Sequence, residues 1–263
     1  MAPMAGAASV ERLGHGALAF GHHASGILSL LARGVLRARR LGNPAIRAVF
    51  FRQLYFTGIE ALGIVAVTGA LIGIVIATQV MALVGSDPVL IGKILIWTVV
   101  RELGPLFCAV VITARSASAI AAELGAMVVG GEIDSLAAMG IEPFDYLVVP
   151  RLLASTLSVA TLTMYFNVAA VAGGYVLSAA FVPTPIFAKF TAIFSIIELP
   201  EVVVGLAKSL LFGLLLAAAS CYHGLAAKRS ITEVPQATSL AVLHSLTLVV
   251  LFDGLVALLA FTW

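Results

Sequence analysis

Charge is what this chain has least of. Of its 263 residues, 11% are Asp, Glu, Lys or Arg, against roughly 25% in a typical soluble domain. Cysteine is scarce too. Cys108 and Cys221 stand in separate apolar runs without motif spacing, so buried free thiols are expected rather than a disulfide framework. The five histidines (His15, His22, His23, His223 and His244) show no zinc-ligand spacing, and no metal or cofactor is expected. Catalytic signatures are absent as well. The nearest approach to a phosphate-binding G-x-x-x-x-G-K-[ST] loop is Gly92-Lys93, with Asp87 where the first glycine should stand. Neither G-x-S-x-G nor H-E-x-x-H occurs. An enzyme is therefore not expected, and any ATP hydrolysis must come from a separate protein.

Long apolar runs fill the space that charge leaves. The chain is 61% hydrophobic, and a membrane-spanning helix needs roughly 20 mostly apolar residues. Ala61–Ser86, Leu152–Ala188, Ser209–Ala227 and Val234–Phe252 carry no charge; Arg101, Glu102 and Arg115 interrupt a fifth run, Ile91–Leu124. Such continuous runs exclude a β-barrel, whose strands alternate over about ten residues. The expected class is an all-α polytopic membrane protein.

The basic charge is unevenly placed. Arg12, Arg33, Arg37, Arg39, Arg40, Arg47 and Arg52 precede Gln53, opposed only by Glu11. The positive-inside rule puts this end in the cytoplasm, and anionic lipid suits the cluster better than nucleic acid. From about Val10 to Leu41 the pattern is amphipathic: Ile27, Leu28, Leu31 and Val35 share one face, and Arg33, Arg37 and Arg40 another. A helix lying in the membrane interface is expected there, not a signal peptide, whose positive charge would precede the apolar patch. Residues 1–52 then form an interfacial segment, and 53–263 a five-span domain.

The spans are expected at about Tyr55–Val84, Ile91–Leu124, Leu147–Phe181, Val202–Leu225 and Gln236–Trp263, with a tight turn at Gly85-Ser86-Asp87-Pro88. The second is about 50 Å long at 1.5 Å per residue, so it must tilt, bend near Pro105 or project beyond the roughly 30 Å hydrocarbon core. Gly69, Gly73 and Ala77 form one small-residue row suited to close packing, and Ala114, Ser118, Ala122 and Ala126 another. Lys189, Glu198 and Glu201 fall in the segment between the third and fourth spans; Lys228, Arg229 and Glu233 in the loop before the fifth.

Two places carry candidate chemistry. Arg101 and Glu102 lie inside a span, where charge is costly and generally functional. Adjacent residues point about 100° apart on a helix, so the pair is not expected to face itself. Arg115 falls within about 40° of the Arg101 face and about 21 Å further along. Two readings stand: a water-accessible cavity for a zwitterionic or anionic substrate, or a structural interhelical ion pair. Asp253 in the last span reads as a proton-linked carboxylate, a satisfied polar contact or a residue near the outer interface, and Gln79 and Asn167 as interhelical hydrogen bonds or cavity lining. The second place is Glu132–Met139, a short helix with Glu132 and Asp134 at its positive end, Ile133 and Leu136 on one face, and Gly140 and Pro143 to stop it. Either it docks into a groove on a cytoplasmic partner, or it merely reverses the chain.

The run RELGPLFCAVVITARSASAIAAELGAMVVGGEIDSLAAMGIEPFDYLVVPRLLA resembles the MlaE family of ABC-transporter permeases. RQLY at Arg52–Tyr55, Gly173–Gly174, KSLLFGLLLAAASCYHGL at Lys208–Leu225 and the closing ATSLAVLHSLTLVVLFDGLVALL look similar too. The resemblance implies a homodimeric subunit of the bacterial inner membrane that moves phospholipids between inner and outer membranes. It implies a cytoplasmic ATPase pair, a periplasmic ring of MCE domains and, in many systems, a STAS-domain protein. Glu132, Ile133, Asp134, Ser135, Leu136, Met139 and Gly140 match the family's ATPase-coupling helix, and Arg101–Glu102 its polar lipid site. Gln79, Ile76, Val80 and Leu83 are the expected companions of that lipid pocket. One departure is Ile231–Thr238, where the family often has a glycine-rich loop and this chain has Pro235. An ion-coupled secondary transporter is the first rival, although five spans without a repeat fit it poorly. A non-transporting membrane scaffold is the second.

Overall fold

A computed structural model describes residues 21, 23, 25–85, 88–181, 199–228 and 230–261. The expected amphipathic pattern before residue 21, the turn at Ser86–Asp87, the charges Lys189, Glu198 and Arg229, and Trp263 lie outside the described residues. The described residues are helical, with no strand among them. We number the helices α1 (Ser25–Leu36), α2 (Pro44–Thr57), α3 (Leu62–Val84), α4 (Pro88–Ile96), α5 (Gly104–Ile112), α6 (Ser118–Val129), α7 (Glu132–Ala138), α8 (Val149–Phe181), α9 (Leu199–Leu225) and α10 (Glu233–Phe261). Among the described residues, five stretches are long and apolar enough to cross a membrane: α2–α3, α4–α6, α8, α9 and α10. The protein is a multi-pass membrane protein.

Local chemistry explains where the helices begin. Asn43 caps α2 by accepting from the Ala45 amide at 3.1 Å, and Pro44 opens the helix where its missing N–H costs nothing. Gly58 breaks the run between α2 and α3. A Cβ there would sit 2.8 Å from the Leu54 carbonyl oxygen, and a single 3-10 turn, Ile59–Ala61, follows. Pro235 lies in the first turn of α10, where proline is tolerated, so the departure from a glycine-rich loop leaves that helix intact.

The second spanning stretch keeps helical continuity by loosening twice. Trp97–Leu103 and Thr113–Ala117 are π-helical. The first of these ends just before Pro105, which has no N–H for an ordinary helical bond. A π turn takes in roughly one more residue than an α turn, so side-chain bearings drift along this stretch. This overturns two expectations. Arg101 and Glu102 do approach each other, Nε to Oε1 at 3.5 Å. Arg101 and Arg115 do not line one wall: Arg101 engages α9, and Arg115 the α2–α3 elbow.

Helix α8 is the central column. The row Gly69–Gly73–Ala77 packs on it as expected, with Ala170 so close to Gly73 that a Cβ there would lie 1.8 Å from its carbonyl oxygen. At Gly173 a Cβ would lie 2.4 Å from the Ala70 carbonyl oxygen, and Gly213 lets α9 approach Thr156. The row Ala114, Ser118, Ala122, Ala126 does not serve this way. Ala114 and Ala126 are exposed, and the buried face of that stretch is Ala117, Ala121, Leu124 and Gly125. Helix α10 hides least of its surface and presents Leu243, Val250, Leu255 and Leu258 outward.

Candidate substrate and coupling sites

Lys208 organises the first site. It is buried, with only 2% exposed, one-third of the way along α9, a largely apolar helix that also carries Glu201 in its first turn. Its ammonium group donates to Glu102 Oε2 at 2.5 Å and to Asp253 Oδ1 at 3.0 Å. Arg101 extends the cluster, with Nη1 at 3.2 Å from Glu201 Oε2 and its guanidinium over the Trp97 ring at 5.8 Å. Three carboxylates thus face two cations, drawn from the π stretch before α5, from α9 and from α10. The Gly205 notch seats α9 against the Val100 carbonyl and brings these groups together. Sequence reasoning named Arg101, Glu102 and Asp253 but missed Lys208 and Glu201. A lone lysine inside an apolar run was the available signal for the first. Glu201 carried none, because it lies 100 residues from its partner.

The other pocket candidates divide. Val80 is buried within the chain, Ile76 packs against the core, and Gln79 and Leu83 face outward, Leu83 with 85% exposed. Asn167 Oδ1 is buried in the space a side chain on Gly104 would take, with no hydrogen-bond partner among the described residues. Cys108 and Cys221 are buried and free.

Arg115 forms a separate node. It pairs with Glu60, donates to the Phe56 carbonyl oxygen at 2.8 Å and lies over the Phe56 ring at 4.9 Å. A histidine cluster, also unforeseen, joins the start of the described chain to α9 and α10. The rings of His23, His223 and His244 lie 4.7–5.4 Å apart, with His23 Nδ1 at 3.3 Å from the Tyr222 hydroxyl. Among the described residues no group of His, Cys, Asp or Glu is arranged to hold a metal ion.

The second site is α7. Gly131 (φ 71°) precedes it and Gly140 (φ 76°) ends it, conformations that favour glycine. The Gly140 amide bonds the Ala137 carbonyl and the Ile141 amide the Leu136 carbonyl, both at 3.0 Å, which is a Schellman cap. Ile133 and Leu136 pack inward on the core cluster. Glu132, Asp134, Ser135 and Met139 are exposed, Met139 by 67%. A partner at α7 would therefore meet the carboxylates, Ser135 and Met139, not Leu136.

A five-span helical bundle with a buried ion cluster and an exposed short helix between its second and third spans is the architecture of a transporter permease. Residues 50–259 match the family described as permease MlaE, and the chain belongs to that family. It is 31% identical over 220 residues to a probable ABC transporter permease protein of Rickettsia typhi, covering 83% of this chain and 85% of that one. It is 30% identical over 205 residues to the chloroplastic protein TRIGALACTOSYLDIACYLGLYCEROL 1 of Arabidopsis thaliana, covering 77% of this chain and 58% of the relative. It is 30% identical over 139 residues to the intermembrane phospholipid transport system permease protein MlaE of Haemophilus influenzae, covering 51% and 53%.

Proposed function

We propose that this chain is the membrane subunit of an ATP-driven transporter that moves phospholipids between the inner and outer membranes of a bacterium. The observation that carries this reading is the five-charge cluster around Lys208, which is itself buried while its four companions are partly buried, among largely apolar helices. Charge at such depth needs a use, and both signs placed side by side suit a zwitterionic headgroup. With three carboxylates against two cations, a headgroup amine supplies the positive charge the cluster lacks. The name of the Haemophilus influenzae relative supports phospholipid as the cargo class.

The subunit sits in the inner membrane as a homodimer, with the basic N-terminus in the cytoplasm. On that orientation α9 descends from the periplasmic side, and Lys208 lies about 14 Å below its start at 1.5 Å per residue. The cluster then occupies the outer half of the membrane, within reach of a periplasmic MCE ring. Residues 1–52 form an interfacial segment and 53–263 the permease domain. Gln79 and Leu83, exposed on α3, contact acyl chains with half-buried Ile76, whereas Val80 is buried within the chain and lies behind them. The exposed face of α7 takes the ATPase, which the chain's own lack of a phosphate loop makes necessary, and a STAS-domain protein completes the cytoplasmic assembly.

Purification in mild detergent through a tag on this chain, followed by mass spectrometry of proteins and lipids, tests the reading. Recovery of an ABC ATPase, an MCE protein and bound phospholipid is the expected result. Lipid movement by the chain alone, driven by an ion gradient in proteoliposomes, would replace it with the secondary-transporter reading. Full function of Arg101→Ala/Glu102→Ala would favour the scaffold.

A further inference from the structure

Two runs of like charge in this sequence lack counterions of their own. The arginines before Gln53 face a single acid, Glu11, and the loop carrying Glu132, Asp134, Glu142 and Asp145 has no base before Arg151. Arg151 does not serve the loop, because it pairs with Glu123 of α6 at 2.9 Å. The two runs serve each other instead. Arg37 Nη1 donates to Asp145 Oδ1 at 3.0 Å and lies 3.6 Å from Glu142, while Arg40 Nε lies 3.4 Å from Asp145 Oδ2. The guanidinium groups of Arg33 and Arg37 lie over the Phe144 ring, 5.7 and 5.4 Å from its centre. The hydrogen bond and charge of Asp145 push the Arg37 pKa further up. Asp145 is the anchored end, its side chain 11% exposed against 44% and 70% for the two arginines. Nearby, Leu152 of α8 fills the notch at Gly34 on α1.

The position of this contact matters more than its strength, since exposed ion pairs add little stability. Asp145 stands in the π stretch Phe144–Val148, which runs directly into α8, the central column. Between that stretch and α7 lies a short non-helical joint containing Gly140 at positive φ. A displacement of α7 meets this joint first, and a joint without a further tether bends rather than transmits. Two guanidinium groups on one carboxylate, that of Arg37 also lying over the Phe144 ring, fix the far end of the joint to the 3-10 turn Ala38–Gly42 and the arginine that precedes it.

We propose that Arg37 and Arg40, gripping Asp145, are positioning residues of the ATP-driven stroke: they brace the joint so that movement of α7 passes into α8. This makes the turn that follows α1 a working part of the coupling apparatus rather than a passive link between α1 and α2. The inference rests on the reading that α7 receives the ATPase, and the test separates the two.

The experiment uses the full chain co-expressed with its ATPase, purified as the complex and reconstituted in proteoliposomes with a fluorescent phospholipid. Asp145→Asn and the double variant Arg37→Gln/Arg40→Gln are compared with Arg37→Asp/Arg40→Asp/Asp145→Arg. The neutral variants are expected to keep ATPase copurification and ATP hydrolysis within twofold while lipid movement falls at least fivefold; the swap restores most of it. Both arginines are exposed, so the double variant reports even where Asp145→Asn lowers the yield. Wild-type lipid movement in the double variant overturns the proposal, as does a parallel loss of hydrolysis and movement, which marks a merely structural contact. Met139→Asp is the independent arm. If it leaves ATPase binding and lipid movement intact, the reading of α7 fails whatever the arginine variants do.

Discussion

Lys208 on α9 donates to Asp253 on α10 at 3.0 Å, and the same ammonium group holds Glu102, so one cation with 2% exposure bridges two carboxylates from two other parts of the chain. Removing one member of a buried ion group strands the others, which costs about 3–5 kcal/mol. Lys208→Met is therefore expected to lower the detergent melting temperature sharply. Neutralising all three members, as Lys208→Met/Glu102→Gln/Asp253→Asn, removes the stranded charge and is expected to recover most of that loss. Lipid movement stays low in both, because the headgroup site is gone. A triple variant that melts as early as the single one would show that charge balance is not what Lys208 supplies.

Helix packing gives a second expectation. The Ala170 carbonyl oxygen occupies the space a Cβ on Gly73 would need, at 1.8 Å, and the obstacle is backbone, not a flexible side chain. Gly73→Ala must push α3 away from α8, at an overpacking cost of about 1–3 kcal/mol. Gly63, which has open space around it, is the control. Thermal unfolding monitored by tryptophan fluorescence should separate the two substitutions, and equal melting points would contradict the close approach of α3 to α8.

The elements of the fold and of its sites were readable in the sequence to different depths. Apolar length alone located the five spans, and the cap residues Gly140 and Pro143 bounded α7, because both signals are local. The π stretches at Trp97–Leu103 and Thr113–Ala117 were not legible. A fixed helical period assigns Arg101 and Arg115 to one face, and only the winding of the real backbone separates them. Lys208 was legible as a charge inside an apolar run, but its partners were not, since Glu102 lies 106 residues away and Asp253 lies 45. The same holds for Arg37 and Asp145, 108 residues apart. The sequence displayed two uncompensated charge runs without saying that each answered the other.

The two faces of α7 should behave as different kinds of residue. Leu136 packs inward on the core, whereas Met139 is 67% exposed. Leu136→Ala is expected to cost about 1–2 kcal/mol of stability through lost apolar burial, with ATPase binding falling only as folding falls. Met139→Asp, and Ser135→Lys beside it, should leave the melting temperature within a degree or two of wild type while ATPase copurification drops at least fivefold. Pull-down through this chain's tag, set beside its melting curve, measures both quantities in one preparation. The opposite pattern, with Leu136 controlling binding independently of folding, would turn the docking face through half a helical turn.

Arg115 offers the last test, at the elbow between α2 and α3. Its guanidinium group holds the elbow three ways: an ion pair to Glu60, a hydrogen bond to the Phe56 carbonyl at 2.8 Å and a stack on the Phe56 ring. Lysine supplies the charge but neither the planar fork nor the stacking surface. Arg115→Lys is accordingly expected to retain the pair to Glu60 and lose the other two contacts, and Arg115→Ala to lose all three. Amide hydrogen exchange across Phe56–Ala61 reads this directly, with protection falling modestly for lysine and by tenfold or more for alanine. The break at Gly58 leaves these amides with few other restraints, so the effect should stay local and spare α8. Equal protection in all three proteins would mean that the elbow is held by the packing of Gly58 against Leu54 and Ser158 alone.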